Sequence, residues 1–339
     1  MIWTLHLALS FVDDFSEGMN GWVTSNWKPE AMGAWSVSEN GLNTTEDARF
    51  YAISKKMDSS FSTINEDLYV QYSVKQSQFI DCGGAYMKMF SSELVQSSLK
   101  GGEEEDVYSI MFGPDYCGVT KKTHLIFHHK GKNYENKQTL FTPHDQNLHL
   151  YTFALFKNGS YSFWLDTKLS HHGDLRTDYD FLPPLQIPDP TKSKPDDWVD
   201  TPTMEDVHDV KPEGWDDVPE KISDPLATKP EDWDDEDDGE WEPPVVNNPE
   251  YKGKWKPKMI DNPNYKGEWK HPLISNPDFK DDASIGKYED ISIVAFELWQ
   301  VKSGTSFDSI LVSHDFAQIE QGFAEFNLSN QKNSNKDEL

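Results

Sequence analysis

The residues best suited to chemistry are a Tyr and a Lys two positions apart, Tyr86 and Lys88, and a second group made of Tyr108, Met111 and Asp115. Proteins hold a hexose with an aromatic ring under its apolar C–H face and with planar polar groups gripping its vicinal hydroxyls. Side chains alternate across a strand, so Tyr86 and Lys88 would share one face. The second group leads into Cys117, and the only other cysteine is Cys82. A bridge between the two would bring both groups together. Spacing alone does not make these residues a site, because a Tyr and a Lys two apart are more often ordinary neighbours on a solvent face.

Catalytic chemistry finds little support. Retaining glycosidases need two carboxyls about 5 to 5.5 Å apart, and no Glu-x-Asp-x-x-Glu string occurs outside the acidic repeats. The run from Glu103 to Asp106 sits in a loop preceded by glycines. His128-His129 and His171-His172 are adjacent pairs, and neighbours on a strand face opposite ways, so neither pair shares a metal. There is no P-loop, nucleophile elbow or HExxH string. A non-catalytic protein is expected, and a glucan-active enzyme is the weakest reading.

The chain of 339 residues carries a formal net charge of -28, and residues 189–242 alone hold 21 acidic and 5 basic side chains. Such a surface repels nucleic acid and anionic lipid and attracts Ca²⁺ and basic protein patches, although many of its carboxylates simply form a solvated face.

The same stretch opens a pair of tandem repeats. Lys194-Pro-Asp-Asp-Trp198, Lys211-Pro-Glu-Gly-Trp215 and Lys229-Pro-Glu-Asp-Trp233 are followed by Trp241, Trp255 and Trp269, each of these leading into Asn-Pro-x-aromatic-Lys. Fixed periods mark stacked structural units. Each unit has one Trp and few aliphatics, too little to offset backbone entropy alone. A fold-back between Trp233 and Trp241 would place Trp233 beside Trp241, Trp215 beside Trp255 and Trp198 beside Trp269, with Lys stems over the rings. The competing reading is a disordered, proline-rich acidic linker, which composition favours and strict Trp placement opposes. The chain ends in Lys336-Asp-Glu-Leu339, an address for retrieval to the endoplasmic reticulum.

Together the repeats, the C-terminal address and the blocks Asp81-Cys-Gly-Gly-Ala-Tyr-Met-Lys88, Ile110-Met-Phe-Gly-Pro-Asp-Tyr-Cys117, His129-Lys-Gly-Lys-Asn133 and Leu298-Trp-Gln-Val-Lys-Ser-Gly304 resemble the calreticulin and calnexin family of luminal lectin chaperones. The resemblance covers about Phe11 to Ile310. It implies that Tyr86, Lys88, Tyr108, Met111, Asp115, Ile126, Glu297 and Trp299 contact the terminal glucose of a monoglucosylated N-glycan. Glu297 stands where the calreticulin pattern has Asp and calnexin-like sequences have Glu. The family also implies one Ca²⁺ site, with Asp308 as its carboxylate and backbone donors near Asp14, Ser38 and Asn40; the competing reading is that Asp308 caps a turn. The acidic turn, with Glu236, Asp238, Glu240 and a protruding Trp241, is the position at which the family recruits a thioredoxin-like disulfide isomerase and a prolyl isomerase. The long acidic tail of calreticulins is missing, which removes the basis for high-capacity Ca²⁺ storage.

These residues need a scaffold. Residues 11–183 alternate apolar and polar positions in short runs, as in Leu68 to Val74, Leu125 to Phe127 and Leu148 to Phe156, and Asn158-Gly159 before Tyr161 to Leu165 reads as a hairpin turn. The pattern resumes at 282–312, in Ile291 to Trp299. An all-β sandwich is expected, interrupted by the repeats at 184–281 as an inserted hairpin arm, the P-domain; the family implies a concanavalin A-like jelly roll. In 313–339, Phe316, Ile319, Phe323 and Phe326 fall on one face of an expected C-terminal helix, with a disordered tail beyond Leu328. Residues 1–10 are apolar but short, and read as a minimal signal segment or an incomplete start. No stretch reaches the length of a membrane span. An oxidising lumen, inferred from the C-terminal address, favours a Cys82–Cys117 disulfide.

The reading that follows is a Ca²⁺-binding, monomeric chaperone of the endoplasmic reticulum lumen. It would bind monoglucosylated glycoproteins and unfolded polypeptides while isomerases dock on its arm. The alternative is a luminal or secreted Ca²⁺-binding polypeptide chaperone without glycan specificity.

Overall fold

A computed structural model describes residues 10–100, 106–234 and 239–337. It divides into two units, one of residues 1–184 and 278–339 and one of residues 185–277.

The first unit is a sandwich of two eight-stranded sheets. One sheet runs Lys168–Asp174, Ser160–Leu165, Leu148–Leu155, Leu68–Gln76, Thr305–Ser313, Gly41–Thr44 and Trp35–Ser38, with Ser10–Asp13 also paired to Thr305–Ser313. The other runs Lys132–Glu135, Thr120–His129, Ile110–Cys117, Cys82–Gly84, Ile291–Gln300, Arg49–Phe61 and Trp22–Thr24, with Met87–Phe90 between Ile110–Cys117 and Ile291–Gln300. Strands from either side of the repeats are thus hydrogen-bonded neighbours at the centre of both sheets.

The period-two pattern explains the layering. Tyr72, Tyr151, Phe153 and Phe163 of the first sheet meet Phe112, Phe127, Phe296 and Leu298 of the second in one core. Phe112 lies 4.7 Å from Phe153 and Phe296 lies 4.0 Å from Phe307, ring centre to ring centre, contacts worth about 0.5–1.5 kcal/mol each beyond area burial. Asn158-Gly159 forms the expected turn, Gly159 taking a φ of +90° between Leu148–Leu155 and Ser160–Leu165. Cys82 and Cys117 are a cross-strand pair joined by a disulfide.

The C-terminal helix, Phe316–Asp337, begins where Asp315 accepts from the Ala317 amide at 2.9 Å, an N-cap arrangement. Phe316, Ile319 and Phe323 pack with Tyr69, Ala154, Trp164 and Leu311 of the first sheet, and Phe326 is 7% exposed. The helix does not stop near Leu328: its backbone continues to Asp337. The run after Leu328 contains neither Pro nor Gly, and adding residues to an existing helix is far cheaper than nucleating one.

The second unit is a nested antiparallel hairpin. Lys221–Ser223 pairs with Val245–Asn247, Thr203–Glu205 with Met259–Asp261, and Gln186–Pro188 with Leu273–Ser275. Between these short ladders one contact recurs. The indole N–H of Trp198 donates to Gly267 O at 2.8 Å, that of Trp215 to Gly253 O at 2.8 Å, and that of Trp233 to Gly239 O at 2.9 Å. The three glycines have φ of +80° to +86°, a conformation costly for other residues. The Lys252 ammonium lies 5.7 Å from the Trp215 ring and that of Lys266 5.8 Å from the Trp198 ring. Of the acidic turn, Glu236 and Asp238 lie outside the described residues. Glu240 is exposed and Trp241 is half-buried; the most exposed repeat indole is Trp233, at 36%. The retrieval address is described only through Lys336 and Asp337, and the opening segment only from Ser10; Glu103 to Glu105 also lie outside the described residues.

Candidate functional site

Register builds one face of the second sheet. Lys88 pairs with Met111 on one side and Ala295 on the other, and Met111 pairs in turn with Ile126. Two residues beyond Ala295 on the same face is Glu297, paired with Ala52, and two further is Trp299, paired with Phe50. Alternation sends Met87, Met89, Phe112, Phe127, Phe296 and Leu298 into the core. It leaves Lys88, Met111, Ile126, Glu297 and Trp299 on the opposite side. Ala52, Tyr108, Met111 and Ala295 form a small apolar cluster there, with Tyr86 and Ile126 packed on it.

The polar centre of this face is an ion pair. The Lys88 ammonium donates to Glu297 Oε2 at 2.9 Å, with the two side chains 3% and 0% exposed. It also lies 4.9 Å from the centre of the Tyr108 ring and 5.9 Å from that of Tyr86, within reach of cation–π attraction. A buried pair of this kind is held by mutual compensation, because either charge alone would be strongly disfavoured.

Tyr86 is positioned by a break between Cys82–Gly84 and Met87–Phe90. The hydroxyl of Tyr72, from the opposing sheet, crosses the core to lie 2.9 Å from the carbonyls of both Ala85 and Phe112, which share its one proton. Gly113, at φ +133°, makes room: a Cβ there would fall 1.8 Å from that hydroxyl.

Asp115 pairs with Gly84, next to the disulfide. Between it and Tyr86 stands His124, whose Nε2 is 3.4 Å from Asp115 Oδ2 and whose ring lies 6.0 Å from that of Tyr86, edge to face. His124 Nδ1 lies 2.9 Å from Glu135 Oε1, which also accepts from Lys122 at 2.6 Å. Partial burial pushes the Glu135 carboxyl up, and the Lys122 and His124 contacts outweigh it, leaving it below the usual carboxylate value. The structure therefore brings all eight expected residues to one face and adds His124 and Glu135. His124 was within reach of sequence reasoning, because it precedes Ile126 by two. Glu135 was not, since its place opposite Ile126 depends on a cross-strand register. The face gathers aromatic edges, an ammonium, carboxylates and an imidazole around a small apolar floor, groups of the kinds that can hold a polar ligand with one apolar face.

The candidate cation residues lie on the first sheet. Asp308 Oδ1 is sealed from solvent without a hydrogen-bond partner. Burial raises the Asp308 carboxyl above the usual range, and the charges of Asp14 and Asp13 push the same way. The turn between Ser38 and Gly41 lies against it: a Cβ on Gly41, at φ +88°, would fall 2.1 Å from Phe307 O and 2.8 Å from Asp308 Cβ. Ser38 Oγ is engaged inside that turn by the Asn40 amide and by Asn43, which leaves the Ser38 carbonyl as the oxygen it can offer a cation. Among the described residues no three His, Cys, Asp or Glu side chains are gathered as a metal cluster. A hard cation here would need backbone oxygens and water beside Asp308, a donor set that Ca²⁺ accepts.

Comparison with known proteins gives the family of the chain. The calreticulin family model matches residues 17–239 and 234–312. Calreticulin of Dictyostelium discoideum is 45% identical over 334 residues, covering 95% of this chain and 77% of that protein. Calreticulin of Mus musculus is 46% identical over 328 residues, covering 93% and 77%. The solved globular domain of T. cruzi calreticulin superposes with a TM-score of 0.62 at 25% identity, covering 96% of this chain and 98% of that one. Among the described residues, no helix is long and apolar enough to cross a membrane. The chain belongs to the calreticulin family, the lectin chaperones that its sequence resembles.

Proposed function

We propose that this protein is a lectin chaperone of the endoplasmic reticulum lumen that holds glycoproteins by the terminal glucose of a monoglucosylated N-glycan. The observation that carries this reading is the buried Lys88–Glu297 pair set among Tyr86, Tyr108, Met111 and Ile126, with Trp299 two residues along the same strand. The ammonium and carboxylate, sealed in the sugar-free protein, would be uncovered on binding and grip vicinal hydroxyls, while Met111 and Ile126 support the apolar face of the ring. Asp115, aligned by His124, would take a further hydroxyl. The test is retention of monoglucosylated glycoprotein on immobilised protein. Lys88→Ala and Asp115→Ala should each abolish retention while circular dichroism stays that of a β-sandwich; retention by both variants would overturn the assignment.

Ca²⁺ is assigned to Asp308, with carbonyls near Asp14, Ser38 and Asn40. When bound it would supply the positive charge that the unpartnered Asp308 oxygen calls for, tying the central strand Thr305–Ser313 to the turn between Ser38 and Gly41 at the edge of the first sheet. The hairpin unit is assigned the recruitment of a thioredoxin-like disulfide isomerase and a prolyl isomerase, at Glu236, Asp238, Glu240 and Trp241. Its acidity would steer a basic partner.

A second reading, Ca²⁺-dependent binding of unfolded polypeptides without glycan specificity, is favoured by Val245, Met259 and Leu273. These stand at equivalent positions of successive repeats and are 66%, 59% and 57% exposed. Sugar-independent, salt-sensitive capture of a reduced, unfolded client would support it.

A further inference from the structure

The C-terminal helix covers the Asp308 region. Cavities of about 320 Å³ and 290 Å³ flank it, one reaching Asp14 and the other reaching Asp308, and Gln71, Ser309, Gly322 and Glu325 line both. The helix comes close because residue 322 is glycine: a Cβ there would fall 1.9 Å from Gln71 Oε1. A mid-helix glycine costs about 1 kcal/mol relative to alanine, so close approach is its evident use. The cleft is rich in acceptors. Asp308 Oδ1 and Gln318 Oε1 are sealed from solvent without partners. Among the described residues lining either cavity there is no Lys, Arg or His.

We infer that Ca²⁺ binding at Asp308 and docking of the C-terminal helix are coupled through the charge of Glu325. The inference rests on Asp308 being the calcium carboxylate. Without the cation, Glu325 on the helix and Asp308 and Asp14 on the sheet, which line these two cavities, repel one another, and solvent screens the sealed Oδ1 of Asp308 least. That repulsion opposes the apolar docking of Ile319 and Phe326. Ca²⁺ offsets the two sheet carboxylates that face Glu325, so the repulsion is relieved and the helix is held more tightly. By linkage, a docked helix must then favour Ca²⁺ by the same factor. The carboxylates do not converge as a three-ligand cluster, so Glu325 acts by charge across the cleft and not as a ligand.

The experiment is amide hydrogen exchange over residues 319–327 of the full chain, in Ca²⁺ and in EGTA, beside calorimetric Ca²⁺ titration, for the wild type, Glu325→Gln and Asp308→Asn. In the wild type Ca²⁺ should slow exchange of the helix about tenfold, a local opening effect. Glu325→Gln removes the repulsion. Its helix should therefore already exchange slowly in EGTA, respond little to Ca²⁺, and bind Ca²⁺ a few-fold more weakly. Glu325 is exposed, so this variant keeps its fold. A Glu325→Gln helix with the wild-type calcium-free rate and the wild-type response would overturn the coupling, as would a wild-type helix indifferent to Ca²⁺ that does bind. Wild-type Ca²⁺ affinity in Asp308→Asn would instead overturn the calcium assignment itself.

Discussion

Lys88 and Glu297 are 209 residues apart in sequence, yet their side chains meet at 2.9 Å on adjacent strands, both buried. The repeats lie between them in the chain. The candidate sugar site therefore exists only once the strand that follows the repeats, Ile291–Gln300, has entered the sheet between Cys82–Gly84, Met87–Phe90 and Arg49–Phe61.

Breaking this pair should be costlier than replacing it. Lys88→Ala leaves a buried carboxylate uncompensated and is expected to cost about 3–5 kcal/mol, whereas Lys88→Met with Glu297→Leu should recover most of that loss. Both proteins should fail to bind glycan. Urea unfolding beside glycan titration separates the two effects, and equal stability of the single and double variants would count against a buried ion pair.

Replacing Cys82 and Cys117 by Ala opens the cross-strand bridge. The expected loss of stability is about 3–4 kcal/mol in the chain-entropy model. Glycan affinity should fall as well, because Asp115 and Gly84 lie within two residues of the bridge. Thermal unfolding and glycan titration of the double variant check both statements.

The hairpin should respond locally. Trp215→Phe keeps an aromatic ring but removes part of the indole and the N–H that donates to Gly253 O, at an expected cost of at least about 0.5–1.5 kcal/mol. Hydrogen exchange should quicken around Trp215 and Gly253, with the midpoint of sandwich unfolding unchanged, since the repeats form a separate unit.

Two groups give pH dependences of opposite sign. Burial lowers the pKa of His149, but hydrogen bonds and charges from Asp166 and Asp145, at 2.8 and 2.9 Å, outweigh it and raise the value above 6.5. Its contribution is complete below pH 6.5 and is lost as pH rises through the raised value. Asp47 is held down to about 2 by the Ser303 amide first, then by Lys302 and the Ser303 hydroxyl. Its contribution is complete above pH 3.8 and is lost as pH falls through about 2. His149→Gln should flatten the fall in melting temperature above pH 6.5, and Asp47→Asn should flatten the acid limb.

The sandwich strands were legible because period two survives in Leu68 to Val74 and Leu148 to Phe156, and so was the helical face of Phe316, Ile319, Phe323 and Phe326. Strand order was not legible, because nothing local states that Lys88 will lie beside Ala295. The sugar-site residues came from a family resemblance, and only the register shows why they share a face. His124 escaped notice because one His among polar strand neighbours carries no signal until Asp115 and Tyr86 are brought to it. The end of the last helix is not legible because polar composition alone suggests disorder, while the backbone, with no residue to break it, stays helical to Asp337.

The most direct test is calorimetric titration of the protein, in millimolar Ca²⁺, with a monoglucosylated oligomannose and with its unglucosylated counterpart. The account predicts binding near the micromolar range for the glucosylated sugar alone, about -8 kcal/mol. A folded protein that binds neither sugar, or both equally, would contradict it.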